Sequence, residues 1–238
     1  MSTDLMDPIN YLAQLGGVAR TGQLLAAGFS RTDIARLADA GIPMVLVGRP
    51  LRDISASYVD VDNRQGARSA VEHLIAAGRS AVATISGPLD MPAGIERLAG
   101  YRDAIGEEFR VTDATLEAIG DFTQESGAKA MTRLLAKRPD LDAVFVASDL
   151  MAAGALSVLT AAGRQVPHDV AIVGYDDSPV AKSTHPQLTS VRQPIEEMGR
   201  EVARLLVEAV EGTDQVQRRV ILATELVKRA SSAGRASP

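Results

Sequence analysis

The sequence contains no cysteine and no tryptophan, and only 3% of its 238 residues are aromatic. Without cysteine the chain has no disulfide framework, no thiolate nucleophile and no cysteine ligand for zinc. No apolar run approaches the roughly 18 residues that a membrane-spanning helix needs, and no basic segment followed by an apolar run opens the sequence. We therefore expect a cytoplasmic protein without a membrane partner.

The composition is that of a folded globular protein, with 46% hydrophobic and 23% charged residues. The formal net charge of −5 argues against a surface that coats a polyanion along its whole length. A small DNA-reading module within an acidic protein remains compatible with this charge.

The sequence also lacks the motifs of catalysis and of metal or cofactor binding. Its histidines, His73, His168 and His185, do not have the spacing of metal ligands. There is no nucleophile elbow, no phosphate-binding loop with Gly-Lys-Ser/Thr, and no Gly-x-Gly-x-x-Gly after a strand. We expect no catalytic residue, no metal and no cofactor, and therefore a protein that is not an enzyme.

From Ile42 onward, short β-branched runs alternate with longer segments of helical periodicity, which predicts an α/β fold with parallel sheets. The predicted strands are apolar almost throughout, as strands covered on both faces must be. They are Met44–Val47, Tyr58–Val61, Ala81–Ile85, Thr115–Ile119, Ala143–Ala147 and Val170–Val173, followed by Arg219–Leu222 and Glu225–Val227. The predicted helices are Arg64–Ala77, Pro92–Ile105, Gln124–Lys137, Leu150–Ala162 and Ile195–Glu211.

Polar residues follow several of these strands, at the sheet edge where α/β proteins bind ligands. The residues concerned are Asp62, Asn63, Ser148 and Asp176, to which Arg97 and Phe122 are added. Carboxylate, amide and guanidinium groups with one aromatic ring suit a ligand rich in hydroxyls, such as a sugar or a nucleoside. The competing interpretation is that Asp62, Asp149 and Asp177 only cap helices and that Phe122 belongs to the core.

The first forty residues are predicted to form a short all-α segment, with helices at Pro8–Leu15, Thr21–Ala27 and Ser30–Ala40. A glycine turn and a capped third helix give the spacing of a helix-turn-helix motif. Candidate DNA-binding residues at the start of the third helix are Ser30, Arg31, Thr32 and Arg36. A helical hairpin that only packs against the rest of the protein is the alternative.

The order of the motifs from Gly41 to Ser231 resembles the effector-binding core of LacI/GalR-type bacterial transcriptional regulators. The segments that carry the resemblance include VDVDNRQGARSAVEHLIAAGR, ATISGPLDMPAGIERLAGYRDAI, GDFTQESGAKAM, DAVFVASDLMAAGAL and VPHDVAIVGYDDSPVA. The resemblance implies two Rossmann-like lobes of the periplasmic-binding-protein type, an effector between them and a homodimer. It implies effector contacts by Arg97, Phe122, Asp176 and Gln193, with Ser148 and Asp62 or Asn63 as further positions.

The resemblance also predicts how the chain is divided. Residues 63–190 with 223–230 would form a complete effector-binding lobe, residues 41–62 with 191–222 an incomplete amino-terminal lobe, and residues 231–238 a flexible tail. Residues 1–40 are similar to the small winged-helix module at the start of AbiEi-type antitoxins. Alternatively, Ser30–Ala40 is the helix that in the family precedes the strand Met44–Val47.

We therefore expect a DNA-binding regulator whose small-molecule effector, a sugar or nucleoside, modulates its affinity for an operator. The alternative is a sensor or binding module that has no DNA-binding activity of its own. A periplasmic sugar-binding protein and an α/β enzyme are further alternatives. The first conflicts with the absence of a signal segment, and the second lacks a pair of nucleophile and base.

Overall fold

A computed structural model of the chain describes residues 43–51, 56–109, 113–212 and 217–233. The proposed helix-turn-helix and its residues Ser30, Arg31, Thr32 and Arg36 lie outside the described residues. The strands are β1 (Val45–Val47), β2 (Ser57–Val61), β3 (Val82–Ser86), β4 (Glu117–Ile119), β5 (Ala143–Val146), β6 (Ala171–Asp176), β7 (Thr189–Arg192), β8 (Arg219–Leu222) and β9 (Glu225–Val227). The helices are α1 (Asn63–Ala76), α2 (Pro92–Phe109), α3 (Gln124–Lys137), α4 (Asp149–Ala161), α5 (Pro179–Ser183) and α6 (Ile195–Glu211).

The described chain divides into two compact units. The smaller unit contains the described residues up to Val59 together with Met198–Val220, and the larger unit contains Asp60–Glu197 and the residues from Ile221 onward. In the smaller unit, β1 pairs in parallel with β2, and the sheet order is β1-β2-β8. The backbone N–H of Tyr58 donates to the carbonyl of Arg218 at 2.9 Å, which joins this sheet to the segment before β8.

The larger unit is built on a six-stranded sheet of order β4-β3-β5-β6-β7-β9. Strands β3 to β7 run parallel, and β9 pairs antiparallel with β7. The prediction of an α/β fold with parallel sheets is therefore confirmed. Because the strands are parallel, the carboxyl ends of β3, β4, β5, β6 and β7 lie at one edge, where polar residues can meet.

Helices cover both faces of this sheet, and the alternation of side chains along each strand produces two cores. Ile85, Val144 and Ile172 pack on one face with residues of α3 and α4. Phe145 and Val173 pack on the other face with residues of α1 and α2. Burial on both faces explains why the central strands are apolar nearly throughout.

The elements predicted from Met44 onward agree with the structure to within a few residues, with two differences, whereas the three helices predicted within residues 8–40 lie outside the described residues. The structure adds the short helix α5 and shows that the segment around Thr189, predicted only as extended, is the buried strand β7. The tail predicted to start at Ser231 is wrong for its first residues. Ser231 and Ser232 are buried, and the Ser231 hydroxyl accepts from the Thr189 N–H at 2.8 Å and donates to the Ile172 carbonyl at 2.6 Å.

Candidate functional site

Arg97 stands at the centre of the polar cluster in the larger unit. Its side chain extends from α2, is only 6% exposed, and donates from Nε to Asn63 Oδ1 at 2.8 Å. Nη1 donates to the Ala147 carbonyl at 2.6 Å and to Asp176 Oδ1 at 3.4 Å. Gln193 Nε2 donates to the same Asp176 oxygen at 2.7 Å. The structure thus brings four of the predicted ligand-binding residues into one hydrogen-bonded group.

Two aromatic rings flank the Arg97 guanidinium. Its central carbon lies 3.6 Å from the centroid of the Tyr175 ring and 5.9 Å from that of Phe122. A guanidinium stacks well on a ring because its weakly hydrated plane meets the negative π face. Tyr175 therefore fixes the plane of Arg97, and Phe122 forms an apolar wall beside it.

Phe122 is held in place by its backbone and by a close neighbour. Its φ angle is +68°, in the left-handed region that non-glycine residues seldom adopt. A side chain at Gly87 would lie 2.2 Å from Phe122 Cζ, so only glycine leaves room for the ring. Phe122 also packs against the hydrophobic core beside α3 and α4. It is therefore both a residue at the edge of the core and an apolar wall beside Arg97.

The turn after β6 carries backbone strain at the residue that faces Arg97. Asp176 has φ +107° and Asp177 has φ +49°, and left-handed backbone at a non-glycine residue costs about 1–3 kcal/mol. Such conformations persist only where surrounding contacts determine them. In this conformation the Asp176 carboxylate accepts from Arg97, while Asp177 accepts hydrogen bonds from Arg192 and Arg229.

Asp176 is the carboxylate of this hydrogen-bonded group, and its side chain is 34% exposed. Burial raises its pKa, and the nearby Arg97 charge and the hydrogen bonds from Gln193 and Arg97 oppose that rise. Within the described part of the chain the hydrogen bonds of Arg97 come from Nε and Nη1, which leaves the N–H groups of Nη2 for a ligand. The cluster therefore offers a carboxylate and a fixed N–H donor beside each other, which is the pairing that adjacent hydroxyls of a ligand require.

Two predicted ligand residues serve as helix caps in this structure. Asp62 is exposed and caps α1 by accepting from the Gln65 N–H at 2.9 Å. Ser148 is buried and caps α4 by accepting from the Met151 N–H at 3.3 Å. Of the pair Asp62 and Asn63, it is Asn63 that contacts Arg97. Contact of Asp62 and Ser148 with a ligand stays a prediction.

Asp149 and Asp177 were candidates for helix capping, and the structure gives both another role. The cap of α4 is Ser148, so Asp149 falls one residue inside the helix, where it is completely buried. The cap of α5 is Ser178, and Asp177 accepts from two arginines instead. The capping interpretation is therefore wrong for these two residues, and it holds for Asp62.

Sequence reasoning missed the part of Tyr175 in the cluster. Tyr175 precedes Asp176 in the strand, where an aromatic residue is expected to belong to the hydrophobic core. Tyr175 is completely buried, as this expectation requires. Burial raises its pKa to about 12, so its phenol is neutral near pH 7. The signal that could have identified it is its position next to Asp176 at a carboxyl end of the sheet.

The described residues contain no group of three or more histidine, aspartate or glutamate side chains that could hold a metal ion. Among the same residues, every helix is too short or too polar to cross a membrane.

The Arg97 cluster combines hydrogen-bonding groups with an aromatic wall, and this combination suits a polar, ring-shaped ligand.

Comparison with known proteins gives a consistent result. The family model of the periplasmic binding protein-like domain matches residues 71–232. The HTH-type transcriptional regulator CelR of Thermobifida fusca is 53% identical over 197 residues, which cover 82% of this chain and 58% of that protein. The HTH-type transcriptional regulator AscG of Escherichia coli is 37% identical over 172 residues, 72% of this chain and 51% of that protein. The chain thus spans just over half of the length of these curated relatives.

Solved structures show the same similarity. A complex of the transcriptional regulator CelR with cellobiose has a TM-score of 0.80 at 49% identity, covering 90% of this chain and 64% of that one. A LacI family regulator of Enterococcus faecium with bound ribose has a TM-score of 0.78 at 25% identity, covering 86% and 76%. The fold is that of the periplasmic-binding-protein type, as predicted, and these relatives are named as regulators rather than as enzymes.

Proposed function

Since the chain belongs to the LacI/GalR family of transcriptional regulators, we propose that it binds a carbohydrate effector and that the effector changes its affinity for an operator. The effector contacts the Arg97 cluster at the carboxyl ends of the six-stranded sheet. The effector favours one state of the protein and DNA favours another, so the binding of each weakens the binding of the other. The coupling free energy in such cases is typically about 1–3 kcal/mol.

The observation that supports this proposal best is the convergence of Arg97, Asp176 and Phe122. Arg97 lies 3.4 Å from Asp176 and 5.9 Å from the Phe122 ring, so a sugar can use all three at once. The carboxylate accepts from one hydroxyl, the guanidinium donates to its neighbour, and the aromatic face packs on the C–H groups of the ring.

We propose cellobiose or a related disaccharide as the effector. The relative of 49% identity was solved as a complex with cellobiose, and the donor and acceptor groups of the Arg97 cluster suit adjacent hydroxyls. Nucleosides also present adjacent hydroxyls on a ring, so they are the second class to test. Asp62, Asn63, Ser148 and Gln193 are proposed as further ligand-binding positions.

Isothermal titration calorimetry with cellobiose, glucose, ribose and a set of nucleosides tests the effector. We expect a sugar to bind and Asp176→Asn to weaken its binding about tenfold or more, because one charged acceptor is lost. The control is Asp142→Asn, since Asp142 is a carboxylate outside the Arg97 cluster that accepts from Ser80 and Ala81 before β3. Binding of no compound, or equal affinity in Asp176→Asn, contradicts the proposal.

DNA binding by Ser30, Arg31, Thr32 and Arg36 is a separate part of the proposal. The test is salt-dependent retention of duplex DNA by the complete chain, compared with the double variant Arg31→Ala plus Arg36→Ala. Loss of two phosphate contacts should weaken retention and reduce its salt dependence. Retention that does not change in the double variant refutes the role of Arg31 and Arg36 in DNA binding. Absence of retention by the unaltered chain favours a sensor module without DNA-binding activity.

We also propose that the protein acts as a homodimer in the cytoplasm. The second half of α6 leaves Leu206, Val207 and Val210 exposed at 39%, 54% and 67%, an apolar surface that a second copy would remove from water. Sedimentation velocity measures the oligomeric state directly. Val207→Glu should shift a dimer toward monomer, and a wild type that sediments as a monomer refutes this part.

A further inference from the structure

The Asp149 carboxylate lies directly beneath the turn that presents Asp176. Asp149 Oδ2 accepts from the Ser178 N–H at 2.7 Å, and Oδ1 accepts from the Ser190 hydroxyl at 2.7 Å. The Ser190 hydroxyl in turn accepts from the Asp177 N–H at 3.0 Å. Asp149 therefore fixes the backbone N–H groups of both residues that follow Asp176, one directly and one through Ser190.

The space around this carboxylate is shaped for it. Asp149 is completely buried, and a Cβ at Gly174 would lie 2.3 Å from its Oδ1. Because glycine has no side chain, the Asp149 carboxylate can pack directly against the backbone of β6 at position 174, one residue before Tyr175. Burial of a carboxylate is costly unless hydrogen bonds replace its lost hydration, and here Ser178 and Ser190 supply them.

The turn held in this way is the strained one. Asp176 and Asp177 both have positive φ angles, which require contacts that determine the backbone. We propose that Asp149 is a positioning residue for effector binding, which holds the turn at residues 176–178 so that the Asp176 carboxylate faces Arg97. This inference rests on the proposed function, because it assumes that Asp176 contacts the effector.

The same geometry makes effector binding sensitive to pH. Burial raises the pKa of Asp149 to about 6, the hydrogen bonds from Ser190 and Ser178 oppose the rise, and the charge of Asp176 adds to it. Protonation removes one of the two acceptors, which loosens the turn. Binding should therefore weaken as the pH falls through about 6.

The other charged groups near the turn form ion pairs with arginine side chains. Asp177 is paired with Arg192 of β7 and with Arg229, and Asp176 contacts Arg97 of α2. Asp176 also has a raised pKa, so its own protonation contributes to a pH effect on binding. A test must therefore follow the turn itself as well as the affinity.

The test follows the backbone amide signals of Asp177 and Ser178 by NMR in the wild type and in Asp149→Asn, without ligand, from about pH 8 to about pH 5. We expect both signals to show a transition near pH 6 in the wild type that is absent from Asp149→Asn, where only the transition caused by Asp176 remains. In parallel, calorimetry with cellobiose should give a roughly tenfold weaker affinity in Asp149→Asn at pH 7.5. Asn offers one acceptor oxygen and one N–H donor group, so the Ser190 hydroxyl and the Ser178 N–H can no longer both donate to residue 149.

Asp142→Asn is the matched control, because it alters a buried carboxylate that accepts backbone N–H groups far along the sheet from Asp176. It should leave both the amide titration and the affinity unchanged, and circular dichroism confirms that each variant is folded. Amide signals that titrate equally in Asp149→Asn, or wild-type affinity in that variant, overturn the role of Asp149. A wild type that binds no sugar overturns the proposed function instead, and the amide titration still shows whether Asp149 holds the turn.

Discussion

Replacement of Arg97 by lysine tests whether the geometry of the guanidinium, rather than its charge, organises the candidate site. Lysine keeps the positive charge and enough length to reach the Ala147 carbonyl or the Asp176 carboxylate. It cannot also donate to Asn63 Oδ1, which receives the Arg97 Nε–H at 2.8 Å, and it has no plane to lie 3.6 Å from the Tyr175 ring.

The expected cost follows from these two lost contacts. A buried acceptor left without a donor costs about 1–3 kcal/mol, and a desolvated cation–π contact contributes about 2 kcal/mol. The free energy of unfolding should therefore fall by about 3–5 kcal/mol, a large share of the usual 5–15 kcal/mol. At about 2–4 °C per kcal/mol for a chain of this length, the corresponding decrease in Tm is about 6–20 °C.

Thermal and urea unfolding followed by circular dichroism measure this change, and calorimetry with cellobiose measures binding. Arg102→Lys is the control on the same helix, because Arg102 is 51% exposed and forms a surface ion pair with Glu117. Such pairs contribute about 0–1 kcal/mol, so Tm should hardly move. If Arg97→Lys unfolds and binds like the wild type, the reasoning about the guanidinium plane is refuted.

Three further changes test other parts of the structure. Gly174→Ala should lower the free energy of unfolding by about 1–3 kcal/mol, because the added Cβ would clash with the Asp149 carboxylate. Urea unfolding of the variant at the same midpoint as the wild type would contradict this. Arginine partners hold the pKa of Asp177 below its ordinary value despite burial, so its stabilising effect is present above about pH 4 and is lost as the pH falls through the lowered pKa. Asp177→Asn should therefore reduce the difference in Tm between neutral and acid pH, and an unchanged difference counts against the ion pairs. Ser231→Ala removes two buried hydrogen bonds and should cost about 1–3 kcal/mol in urea unfolding, whereas a cost near zero would mean that this segment is not anchored.

The sequence predicts most strands of the larger unit because a strand buried on both faces must be apolar throughout, as Ala143–Val146 shows. Strand β7 escaped prediction because Thr189 and Ser190 are polar yet completely buried. Their polar groups are satisfied by Ser231, Ser232 and Asp149, partners distant in sequence. A local pattern carries no information about such partners.

The sequence indicated which residues form the candidate site, but it did not indicate how they are arranged. Residues at strand ends identified Asp176 and Asn63, to which the chemistry of a hydroxyl-rich ligand added Arg97 and Phe122, while only the resemblance supplied Gln193. The sequence could not decide which of Ser148 and Asp149 caps α4, since both residue types cap helices well. That choice depends on Gly174, Ser178 and Ser190 surrounding the carboxylate, which only the folded chain brings together.

The stacking of Arg97 on Tyr175 has an optical consequence. The protein has no tryptophan and only four tyrosines, so its near-ultraviolet fluorescence comes from very few fluorophores. One of these four rings lies 3.6 Å from the guanidinium that we expect a sugar to engage. Occupancy can therefore be followed through tyrosine emission of the unlabelled protein, with no dye or introduced chromophore.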